Sequence, residues 1–87
     1  METGHMIKIF TKEGNQKLDK QYLGTRKAIL QIAFEKTQEF MRVGDVGLGV
    51  DERKILESLI ANSMTQSFSL GYGIGKVEGL TNRQVHL

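Results

Sequence analysis

The chain has 87 residues, no cysteine and no proline, and a net charge of +2. That length allows one domain, too small to bury a large share of its surface. The lack of cysteine excludes disulfides and thiolate metal sites, and two histidines are too few for an ordinary zinc site, so oligomerisation is the support left to so small a fold.

Met1 to His5 reads as a remnant of cloning sequence, followed by a single domain over 6–87. Setting Glu2 aside leaves 12 basic against 9 acidic residues, or +3. This is modest for a dedicated duplex binder. No apolar run approaches the roughly 20 residues that cross a bilayer, so no membrane partner is expected. No apolar leader precedes the domain, and the expected compartment is the cytoplasm.

Met6-Ile7-Lys8-Ile9-Phe10-Thr11 alternates apolar and polar residues and reads as a short strand. Lys12-Glu13-Gly14-Asn15 reads as a turn. The strand pairs with Gln16–Leu18 in a poor hairpin or with a copy of itself in another subunit. Asp19 is a suitable N-cap, with Leu18 and Leu23 in hydrophobic-staple positions. The amphipathic helix that follows runs to about Val43. Gly24 weakens its first turn, so Thr25 is a second candidate start. On a wheel of 100° per residue its apolar arc covers close to half the circumference, with Ile32 and Val43 at one edge and Phe34 and Met41 at the other.

Gly44 stands where a helix C′ glycine belongs and opens a glycine-punctuated loop to Gly49. Asp51 caps a second helix, with Val50 and Ile55 as its staple. That helix runs at least to Phe68 and packs on the first as an antiparallel hairpin. Gly71 to Gly79 carries two readings. The first is a helix stop and flexible loop, because glycine is costly in a helix. The second is a continued helix in which Ser63, Ser67, Gly71, Gly75 and Gly79 recur every four residues as a ridge of small side chains. Thr81 and Gln84 have capping-box spacing and suggest a short terminal helical turn.

No chemistry-bearing set converges. Gly71-x-Gly73-x-Gly75-Lys76 resembles a phosphate loop only superficially. Val77 stands where a magnesium-binding hydroxyl is needed, and a helix precedes it where a strand should. His86 has no partner at ligand spacing. We therefore expect no enzyme, no metal and no cofactor. Lys8, Lys12, Arg26, Lys27 and Lys76 are the candidate contacts to an anion or nucleic acid. They read more readily as solubilising charge. The surplus apolar arc of the first helix points to association through Ile32, Phe34, Phe40, Met41, Val43 and Phe68, since an uncovered patch of that size would aggregate.

The expected fold is mostly α, of the α+β class: an antiparallel helical hairpin with a short N-terminal β-strand or hairpin and a short C-terminal element. The expected function is non-enzymatic regulation by protein–protein contact, as an inhibitor or adaptor of phage-like accessory type. A homo-oligomer is expected, with a protein target. The alternatives are a nucleic-acid binder using the basic N-terminal third, or an oligomer holding a nucleotide or other anion at the glycine segments.

Overall fold

The computed structural model describes residues 2–86. Its elements are three helices: α1 (Thr3–Lys20), α2 (Leu23–Val43) and α3 (Val50–Thr81). It is 84% helical, and no strand occurs among the described residues. The expected N-terminal strand is therefore a helix. Six residues from Met6 satisfy a period of two, but the apolar pattern extended to Leu18 satisfies a period of 3.6. Ile7, Phe10, Thr11, Gly14 and Leu18 fall on one stripe and are buried or half-buried, while Ile9 is exposed. Packing of that stripe overrides the β preference of the two isoleucines.

The expected turn at Gly14 is also helical, and its glycine serves close packing. A Cβ there would sit 3.0–3.1 Å from the Tyr72 side chain. Beside it the Ser69 hydroxyl donates to Asn15 Oδ1. Asp19 lies inside the last turn of α1 and does not cap the next helix. The break comes two residues later, where the amides of Gln21 and Tyr22 both donate to the Lys17 carbonyl. The Tyr22 carbonyl then accepts from Arg26 to begin α2.

α3 opens two residues earlier than its sequence signal, with Gly49 as N-cap and the expected cap Asp51 inside the first turn. Glu52 Oε1 accepts from the Gly49 amide at 3.1 Å, which satisfies one of the exposed amides of the cap. The helix then continues through the whole glycine segment to Thr81, where Asn82 turns left-handed at φ 54°. The loop reading of Gly71–Gly79 is thus overturned. So is the terminal helical turn, because residues 84–86 are not helical.

The chain runs out along α1 and α2, end to end, and returns along α3. Tyr22 meets Phe68 edge-on, with ring centroids 6.0 Å apart. Glu13 meets Lys76, so both α1 and α2 lie antiparallel to α3. The molecule measures 50 × 27 × 17 Å. Its long axis matches a 32-residue helix of about 48 Å at 1.5 Å per residue. Its thinnest dimension leaves no room for a third layer of helices, each about 10 Å across.

The core is correspondingly small. Leu18, Ile29, Ala33, Ala61 and Val77 are its buried hydrophobic residues. Ile60, Met64 and Phe68 pack against this group. Thr37 is fully buried, and its hydroxyl donates to the Ala33 carbonyl at 2.9 Å. The inner side of α3 follows one four-residue ridge, on which Arg53, Glu57, Ala61, Thr65, Ser69, Gly73 and Val77 are all buried or half-buried.

Candidate functional site

The α2–α3 limb leaves a broad apolar surface uncovered. α2 meets α3 through Ile29, Ala33 and Thr37, a stripe narrower than its apolar arc. Phe34 is 52% exposed, Phe40 50% and Val43 72%, and Ile32 is exposed as well. Leu23, Leu30 and Phe34, spaced i, i+7, i+11, share one edge of α2. Ile32 and Val43 share the other. Of the six residues expected at an interface, Met41 is only half-exposed and Phe68 belongs to the core, against Tyr22.

Parts of this surface are concave. Phe40, Leu48, Glu52, Ile55, Leu56 and Leu59 line an open groove of 300 Å³ at the loop end of the hairpin. Ile55 is 61% exposed and Leu59 59%. Glu52 is the one charged group in this lining. The shape and chemistry suit an apolar side chain or the apolar stripe of a helix.

The basic residues do not converge in the same way. Lys8 and Lys12 sit one turn apart on α1, and Arg26 and Lys27 open α2; all four are exposed. Arg26 approaches Asp19 at 3.8 Å. Lys76 is engaged inside the molecule. Its ammonium donates to both carboxylate oxygens of Glu13 at 2.9 and 3.0 Å. It also lies 5.2 Å from the Phe10 ring centre and 5.7 Å from that of Tyr72. The hydrogen bond from Lys76 holds the Glu13 carboxyl below its usual range, and the same bond raises Lys76. Lys17, raised by its contact with the Tyr72 hydroxyl, completes the cluster 3.9 Å from Glu13.

This clamp between α1 and α3 was legible in part. Glu13/Lys17 and Tyr72/Lys76 are two i, i+4 pairs, but their meeting depends on the glycine segment being helical. No cluster of three or more potential metal-ligating side chains occurs among the described residues. No described helix is long and apolar enough to cross a membrane. Comparison with family models, curated proteins and solved structures gives no match, so function is read from geometry alone.

Proposed function

We propose that this protein acts by protein–protein contact, as a small helical adaptor or inhibitor that offers its apolar α2–α3 surface to a partner. The observation that carries the reading is the groove around Phe40, Leu48, Ile55, Leu56 and Leu59, apolar on nearly all of its lining and open to solvent. Interface centres are depleted of charge and enriched in aromatic residues, and here Phe40 is the aromatic residue of the lining. The partner chemistry that fits is an amphipathic helix whose apolar residues enter at i and i+3 or i+4 spacing.

The basic residues give less support to nucleic-acid binding. Lys76 is committed to Glu13 and Arg26 leans on Asp19, leaving scattered lysines to meet a phosphate backbone. Phe40→Asp tests the docking reading. The variant should keep the helical circular dichroism of the parent and lose the proteins that the parent retains from an extract of its source cell. Leu80→Asp, on an exposed residue remote from the groove, should retain them. A Phe40→Asp protein that still held every partner would refute the assignment of this surface.

A further inference from the structure

We infer that the outer ridge of α3 is a self-docking surface, on which two copies of the chain pack their third helices antiparallel about a two-fold axis at Ser67. Ile55, Leu59, Ser63, Ser67, Gly71 and Gly75 recur every four residues and all are exposed. They lie two positions on from the inner ridge, hence about 200° around the helix from α1 and α2. The ridge tapers in bulk along its length, from isoleucine and leucine through two serines to glycines.

A two-fold interface requires one patch to complement itself, so that residue i meets j and j meets i. Antiparallel pairing about Ser67 satisfies this in the central layers, since a four-residue ridge drifts by about 40° per step and carries Ile55 and Gly79 out of the contact. Leu59 meets Gly75 at the rim, Ser63 meets Gly71, and Ser67 meets its own copy. The bulky Leu59 of one helix thus faces a glycine notch in the other. Parallel pairing would set leucine on leucine at one end and glycine on glycine at the other, leaving a wedge-shaped gap. An unrelated partner would impose no taper balanced about one residue.

Three further observations agree. A Cβ placed on Gly71, Gly75 or Gly79 would meet nothing within 4 Å, so those notches are open in the single chain. The hydroxyls of Ser63 and Ser67 donate back to the Leu59 and Ser63 carbonyls at 2.8 and 2.9 Å, which leaves a face with little demand for water. No charged residue occurs from Ser58 through Gly75, and charge depletion at the centre is what an interface shows. It also removes the like-charge repulsion that a surface meeting itself would suffer.

Ile55 and Leu59 line the groove as well, but Gly71 lies about 24 Å along the helix from Ile55, so variants at Gly71 and Gly75 test self-docking apart from the groove reading. The test is light scattering coupled to size exclusion over a range of concentrations, with cysteine cross-linking on a chain that has no cysteine of its own. The parent should have twice the mass of one chain. Gly71→Phe and Gly75→Phe, which have free space in the monomer, should keep full helicity and raise the dimer dissociation constant by on the order of tenfold or more. A Ser67→Cys chain should oxidise to a covalent dimer. Leu59→Cys and Gly75→Cys proteins should cross-link when mixed and not when alone. A parent that stays monomeric, a dimer unmoved by both phenylalanines, or cross-linking of Leu59→Cys with itself would each overturn the proposal.

Discussion

Gly73 and Gly75 stand two residues apart on one helix, and alanine at each should shift stability in opposite directions. At Gly73 a Cβ would lie 2.5 Å from Thr11 Oγ1, 2.8 Å from the Thr11 amide nitrogen and 2.9 Å from the Ile7 carbonyl oxygen. Two of these are backbone atoms that cannot swing aside, so α1 must back away by about half an ångström or more to restore contact distance. Overpacking of this kind costs about 1–3 kcal/mol. Alanine's better helix propensity returns about 1 kcal/mol; with three contacts under 3 Å the overpacking lies toward the upper end of that range, for a net loss of up to about 2 kcal/mol. At Gly75 the added methyl meets nothing, so only the propensity gain of about 1 kcal/mol remains. In a chain of this size 1 kcal/mol moves Tm by about 4–8 °C. Thermal melts followed by circular dichroism, at a dilution where the parent is monomeric, should therefore show Gly73→Ala melting below the parent and Gly75→Ala above it. Shifts of the same sign would refute the docking of α1 onto Gly73.

Two other outcomes follow from the core and the clamp. Leu18 is 2% exposed and joins α1 to the core residues of α2 and α3, so Leu18→Ala should cost about 2–5 kcal/mol in urea unfolding. That is a large share of the roughly 5–15 kcal/mol available to a native protein. For the Glu13–Lys76 pair the signs of the two shifts fix the pH window. Glu13 is depressed in the folded chain, so its contribution is present above the unfolded carboxyl value and is lost as pH falls through the folded one. Lys76 is raised, so its contribution is present below the unfolded lysine value and is lost as pH rises through the folded one. Stability should be flat between these limits. Glu13→Gln should shrink the decline on the acid side, and a profile identical to that of the parent would refute the clamp.

The α2–α3 hairpin was legible because its signals agree. The apolar arc, Gly44 and the Asp51–Glu52 pair bound two helices to within two residues of where α2 ends and α3 begins. α1 was not legible in six residues, since Ile7 and Ile9 serve a strand as well as a helix, and only the distant Leu18 decides the period. The glycine segment misled because propensity prices Gly73 as if it stood alone, whereas its missing side chain is what admits Thr11 and Ile7 of α1. The exposed Phe34, Phe40 and Val43 were foreseeable, because a hairpin covers one stripe of a helix and α2 is apolar beyond it. The core position of Phe68 was not, because its neighbour Tyr22 is placed by a break that no proline or glycine marks.

The same arithmetic separates the glycines of α3 into two kinds. Gly73 has a reason within the single chain, since α1 occupies the space its side chain would fill. Gly71, Gly75 and Gly79 have none: each faces open space and each weakens the helix by about 1 kcal/mol relative to alanine. Near 3 kcal/mol is a heavy cost where five hydrophobic residues are buried among those described and total stability is of order 5–15 kcal/mol. A close approach to Gly71 and Gly75 by the helix of a second copy supplies the offset at those two, and the opposite end of the same ridge presents Leu59, a side chain of the bulk that the Gly75 notch would admit. What weakens the monomer is then what shapes the dimer, with α1 and α2 bracing the helix from behind while its front meets its own copy.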